Sequence, residues 1–158
     1  VCPAGGWVSS VCRVKISVSA DMLDGIGADI AEELRKRGHD VLVHGALSDG
    51  ESSDWARASE AAARDVAEGR AEQGVVCCWT GTGASIAANK VAGVRAALCT
   101  DAYTAQGARR WNDANVLALS LRMTSLPLLD EILDAWFAAD VTDDEDDLAS
   151  IDHVAEIR

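Results

Sequence analysis

The chain has 158 residues, enough for one domain with a real core and too few for two. It is 49% hydrophobic with few aromatics, as expected for a compact α/β protein. A net charge of −12 opposes non-specific nucleic-acid binding and anionic membranes, and no apolar run approaches the roughly 20 residues that span a bilayer.

The opening "VCPAGGWVSS" lacks the basic start and long apolar centre of a secretory signal, and residues 1–12 read as an N-terminal extension outside the fold. "RVKISVSA" (Arg13–Ala20) alternates and is β-branched, which predicts a first strand. "DGIGADIAEELRKRG" places Ile26, Ile30, Ala31 and Leu34 at helical spacing and ends on Gly38. "DVLVHGA" predicts a second strand. "SDWARASEAAARDVAEGRAEQG" predicts an Ala-rich helix capped by Ser53 or Asp54.

"GVVCCW" is the third predicted strand, followed by a glycine turn and a helix, "ASIAANKVAG", closed by Gly93. "VRAALC" and "NVLALS" complete the strands, with the helix "DAYTAQGARRWND" between them. "SLPLLDEILDAWFAA" is a periodic helix with Pro127 near its start. A single α/β domain is thus expected over 13–139. Residues 140–158 form an acidic segment ending in a helix, able to exchange between the subunits of a dimer.

Strands alternating with helices predict an α/β fold, a three-layer Rossmann-like domain with a five-stranded parallel sheet. Ligands in such sheets bind beyond the carboxyl ends of the strands, near the topological switch. The turn Cys78–Ser85, "CWTGTGAS", leaves the third strand at that end. Gly81 and Gly83 allow positive φ and close approach of a ligand. The amides of Gly81, Thr82, Gly83, Ala84 and Ser85 open the next helix and suit an anion or a developing oxyanion. Cys78 sits beside that positive helix end, which suits a nucleophilic or basic sulfur. Proton abstraction next to a carbonyl and nucleophilic attack both fit, as does an ordinary tight strand-to-helix turn.

The Lys-Ser/Thr pair of a Walker loop is missing, and the glycines follow the third strand instead of the first, against a dinucleotide fingerprint. The five cysteines have no zinc spacing. Cys77 and Cys99 read as small buried hydrophobes, and the compartment as the reducing cytoplasm. His39, His44 and His153 have no paired ligands and read as surface or capping residues. Trp55 and Trp136 lie on helices and read as core or interface.

From Gly74 to Arg122, "TGTGASIAANKVAGVRAAL" and "TAQGARRWNDANVLALSLR" closely resemble the ribose-5-phosphate isomerase B and galactose-6-phosphate isomerase subunit family. The family pattern is C-G-T-G-x-G-x-S-I-A-A-N-K followed by A-R-x-H-N-D-x-N-V-L. The resemblance implies an aldose–ketose isomerase acting through an enediolate, a dimer or tetramer with interfacial sites, a sugar or sugar-like substrate, and no metal or cofactor. It makes Cys78 the base, the Gly81–Ser85 amides the oxyanion cradle and Thr80 the aid to ring opening. Asn112 would contact the sugar from the neighbouring subunit.

The departures from the pattern fall at the substrate. The glycine after the cysteine is Trp79 here, and the ring-opening histidine is Trp111. An ungapped reading puts Ala20 and Asp21 where the family has Asp-His. The two phosphate-gripping arginines fall on Glu145 and Ala149, and no Lys or Arg lies between Arg122 and Arg158. A phosphate dianion requires cationic partners. Arg122, Arg109 and Arg110 remain near the family block as an alternative cationic set. Trp79 and Trp111 either wall an uncharged pocket or pack at an interface. The acidic run Asp140–Asp147 reads as a solvated connector or as a site for a basic partner. The reading is therefore an isomerase with an altered substrate; the alternative is an inactive sugar-binding or regulatory subunit paired with a complete paralogue.

Overall fold

A computed structural model describes residues 13–157; the extension expected at 1–12 lies outside the described residues. The elements are β1 (Lys15–Ala20), a 3-10 turn (Gly25–Ala28), α1 (Ile30–Lys36), β2 (Asp40–Gly45), α2 (Trp55–Ala67), β3 (Gln73–Cys78), α3 (Thr82–Asn89), β4 (Ala96–Leu98), α4 (Ala102–Asn112), β5 (Val116–Ser120), α5 (Leu126–Ala138) and α6 (Glu145–Glu156). The five strands form one parallel sheet of order β2-β1-β3-β5-β4. The chain reverses direction across the sheet between β1 and β3, so their carboxyl ends define the switch point. Among the described residues no helix is long and apolar enough to cross a membrane.

Several elements depart from expectation: α2 stops at Ala67, well before Gly74, and β4 is cut to three residues. The first helix opens as a 3-10 turn, because the chain there is pressed onto its neighbours. A Cβ on Gly25 or Gly27 would lie 2.3 or 2.4 Å from the carbonyl oxygen of Leu121 or Met22. The helix expected over Ala84–Gly93 instead spans Thr82–Asn89. Asn89 ends it by bonding both backbone groups of Ala96 at 2.8 Å, which satisfies part of the exposed edge of β4.

The period-2 alternation of the strands gives the two faces different cores. Ile16, Val18, Cys77, Leu117 and Leu119 meet large side chains of α1 and α5, among them Leu34, Leu129, Leu133 and Trp136, and the small Ala105 and Ala108 of α4. Val76, Cys78, Val116 and Ala118 meet mainly small residues of α2 and α3, Ala62, Ala63, Ala84 and Ala88, with Val66 of α2 partly buried against them. Alanines allow α2 and α3 to lie close to the sheet and to each other.

A polar network ties α2 to the sheet. Asp65 of α2, buried, accepts hydrogen bonds from Ser17 Oγ at 2.7 Å and Arg70 Nε at 2.6 Å, and lies 2.7 Å from His44 Nε2. The other ring nitrogen of His44 meets Glu51 at 3.0 Å. Burial acts to raise the Asp65 carboxyl, but the bonds from His44, Ser17 and Arg70 outweigh it and hold it below the usual carboxylate range. The stabilisation is therefore present above the unfolded-state pKa and is lost as pH falls through the lower folded value. Asp65→Ala should cost about 3 kcal/mol in urea unfolding at pH 7, and its gap from wild type should narrow below about pH 4.

Candidate functional site

β3 ends at Cys78 on the face covered by α2 and α3. The chain leaving it is pinned to the end of β5: Leu121 N donates to Cys78 O at 3.0 Å, Arg122 N to Trp79 O at 3.1 Å, and Ser120 Oγ to Trp79 O at 2.9 Å. The turn then reverses through Gly81, whose φ is +77°. No side chain fits there, since a Cβ would lie 2.5 Å from Leu98 Cδ1 and 2.9 Å from the Leu119 carbonyl carbon.

Gly81 is also the N-cap of α3, and glycine has no side chain to cap with. Helices α2, α4, α5 and α6 all begin with a side-chain cap, from Asp54, Asp101, Ser125 and Asp144. At α3 the leading amides stay open, and Ala84 N instead donates to Cys78 Sγ at 3.4 Å. The cradle is narrower than the sequence predicts. Gly81 N is spent on Cys78 O at 3.2 Å and Ser85 N on Gly81 O at 3.0 Å. Of the predicted cradle, Thr82 N and Gly83 N have no partner among the described residues, and the Ala84 amide faces the sulfur. Thr80 and Thr82 share a hydroxyl contact of 2.8 Å beside them.

Two charged residues flank this turn. Asp21 follows β1, with the amides of Asp21 and Trp79 facing its carboxyl and Oδ1 buried without a partner. Burial pushes that carboxyl up, against the pull of the two amides. Arg122 follows β5; its guanidinium contacts Met123 Sδ at 3.3 Å and makes no ion pair among the described residues. Trp79 is 46% exposed at the mouth of the turn.

Other predicted residues lie elsewhere. Trp111 and Asn112 end α4, which runs antiparallel to the strands, so within one chain they sit at the opposite end of the sheet from Cys78. There they line a groove of about 350 Å3 with Asn89, Arg95 and, from α6, Ile151 and Val154. The Trp111 ring lies back over Gly107 and meets Tyr103 edge-on, with centroids 5.8 Å apart. Glu145 and Ala149 are both on α6.

Arg109 is not a pocket residue within the chain. It donates to Ala114 O, pairs with Asp113 at 3.6 Å and lies over the ring of Trp136, whose Nε1 donates to Gln73 at the start of β3. Trp136 is core, as expected. His39 is buried in place of the expected surface position: it accepts from Val14 N and stacks on Phe137, and burial, helped by Arg37, pushes its pKa down. Cys77 and Cys99 are buried thiols, as read from the sequence. Burial drives the Cys77 pKa far up, and burial with Asp101 pushes Cys99 up to about 12.

Trp55, read from the sequence as core or interface, is not core: it is 45% exposed and its ring rests on Gly83 beside the turn. The one signal in the sequence was a lone large residue at the first turn of an alanine helix. Among the described residues no group of three or more His, Cys, Asp or Glu side chains could hold a metal ion.

Comparison with known proteins adds to this geometry. The Ribose/Galactose Isomerase family model matches residues 24–154. Ribose-5-phosphate isomerase B of Escherichia coli K12 is 42% identical over 111 residues, 70% of this chain and 74% of that protein. D-erythrulose-4-phosphate isomerase of Pectobacterium atrosepticum is 37% identical over 111 residues, 70% and 73% of the two chains. The solved structure of Clostridium thermocellum ribose-5-phosphate isomerase B superposes with a TM-score of 0.81 at 36% identity, covering 90% of this chain and 95% of that one.

The fit at Gly81 sets a stability test. Gly81→Ala forces a side chain into left-handed backbone and against Leu98 and Leu119. It should lower unfolding free energy by about 2–4 kcal/mol in denaturant melts, through αL strain and overpacking.

Proposed function

The chain belongs to the ribose/galactose isomerase family, and on that premise we propose that it interconverts an aldose and its ketose by proton transfer through Cys78. The observation that carries the reading is the Cys78 sulfur set against the uncapped start of α3, with free amides at Thr82 and Gly83. Cys78, as thiolate, takes the proton from the carbon next to the carbonyl, and the C–H electron pair becomes the carbon–carbon double bond of the enediolate. The carbonyl oxygen takes up the displaced charge and is held by the two amides. The thiol then returns its proton to the former carbonyl carbon, while a hydroxyl proton passes between the two oxygens. Thr80, hydrogen-bonded to Thr82, is placed to serve the ring oxygen.

The substrate differs from a simple sugar phosphate at its far end. The resemblance places Glu145 and Ala149 where two arginines would grip phosphate, and like charge near a dianion repels it. Arg122 is the one predicted cation at the Cys78 end of the sheet, and it has no carboxylate partner among the described residues. A sugar with little or no phosphate charge fits this balance. Trp79 then replaces glycine as an apolar wall, half exposed.

Assembly completes the site. Trp111 and Asn112 lie at the far end of the same sheet, so a second copy must present them to Cys78, in a dimer or tetramer. The α6 helix, packed beside them in the groove, would form part of that contact. The free thiols of Cys77, Cys78 and Cys99 support the reducing cytoplasm as the protein's compartment.

Solvent deuterium incorporation across a panel of free and phosphorylated sugars tests the chemistry. Wild type should exchange the proton on the carbon next to the carbonyl of at least one sugar. Cys78→Ala should lower that rate by about 100-fold or more without shifting the unfolding midpoint. Undiminished exchange in the variant would remove Cys78 as the base.

A further inference from the structure

The sequence of α2, "WARASEAAARDVA", buries only small or polar side chains, Ala58, Ser59, Ala62, Ala63 and Asp65. Trp55 stands apart from this pattern. It lies at the first turn, where α2 begins beside the start of α3, and not over the sheet. One part of its ring is used against Gly83: a Cβ built there would lie 2.9 Å from Cε3 and 3.2 Å from Cδ2 and Cζ3. The rest of the side chain stays open, with 45% of the residue's surface exposed. A tryptophan that served packing alone would hide most of its large apolar surface.

The ring is held from behind. Asp54 accepts from Ala56 N at 3.0 Å and Arg57 N at 3.1 Å, fixing the turn that carries it. The segment leading into that turn is anchored by Glu51, which accepts from Gly45 N at 3.2 Å and meets His44 at 3.0 Å. A surface so fixed loses little freedom when a ligand packs on it.

Its neighbours define what that ligand is. The Gly83 amide has no partner among the described residues, and the next amide, Ala84, points at Cys78 Sγ. An oxygen resting on Thr82 and Gly83 therefore has the indole beside it, and the carbon chain attached to that oxygen passes along the ring. An aromatic face offers dispersion and contact with C–H groups, and it offers no cation to a phosphate.

We propose that Trp55 is a specificity-determining residue of the Cys78 site, stacking its open indole surface on the C–H face of a sugar whose oxygen is held by the Thr82 and Gly83 amides. The assignment rests on the isomerase reading above. It requires no displacement of the ring, because the glycine at position 83 lets indole and helix backbone meet closely. It also accounts for a costly exposed tryptophan at a position where helix propensity gains nothing from one.

Saturation-transfer NMR and deuterium exchange, with D-ribulose, D-xylulose and their 5-phosphates as probes, test it on the full chain. Wild type, Trp55→Ala and Trp55→Phe are compared, with unfolding midpoints as the check on folding. Trp55→Ala should raise Kd and KM by about tenfold while kcat changes by less than about threefold, and Trp55→Phe should recover most of the loss. Unchanged Kd and KM in Trp55→Ala would overturn the proposal, as would a fall in kcat alone or binding of none of the four probes. A sugar that binds wild type without exchanging its proton would sink the isomerase reading and leave the Kd comparison to decide on Trp55.

Discussion

The site depends on one helix start that has no side-chain cap. Four other helices of this domain satisfy their leading amides with Asp or Ser, as helices ordinarily do. At α3 the cap position is Gly81, held at positive φ between Leu98 and the end of β5, and it cannot do so. The donors are left to the sulfur of Cys78 and to whatever enters the turn. Function at this point is stability withheld, in the sense that the helix forgoes a cap for an open donor set.

That arrangement needs the neighbouring layers to come close. The alanine-rich face of α2 and α3 lets both helices start beside the carboxyl end of β3, while the bulky aliphatic core is kept on the other face of the sheet. The Asp65 network with Ser17, His44 and Arg70 replaces apolar packing at the joint between α2 and β1, and through Glu51 it reaches the segment before Trp55. The network thus tethers the segment that leads into the first turn of α2.

Antiparallel return of α4 has the opposite effect on Trp111 and Asn112. A helix that crosses back over a parallel sheet must end where the strands begin, so its last residues cannot reach a site at the strand ends of the same chain. Cys78 and the glycine turn therefore lie at one end of the sheet, and Trp111 and Asn112 at the other.

Much of this was legible beforehand. Strand–helix alternation determined the five-stranded parallel sheet, because apolar period and glycine punctuation are local properties of a chain. The motif from Gly74 to Arg122 was enough to single out Cys78 and the glycine turn. Three features were decided only in three dimensions. Which amides remain free depended on bonds from Gly81 and Ser85 to backbone atoms that spacing cannot show. Arg109 looked available in the sequence and is consumed by Asp113, Ala114 and Trp136. Trp55 reads as core or interface and stands on Gly83, 28 residues further along the chain, because only the packing of α2 against α3 brings the two together. Local pattern determines which element a residue joins; the partner of a side chain is set by contacts distant in sequence.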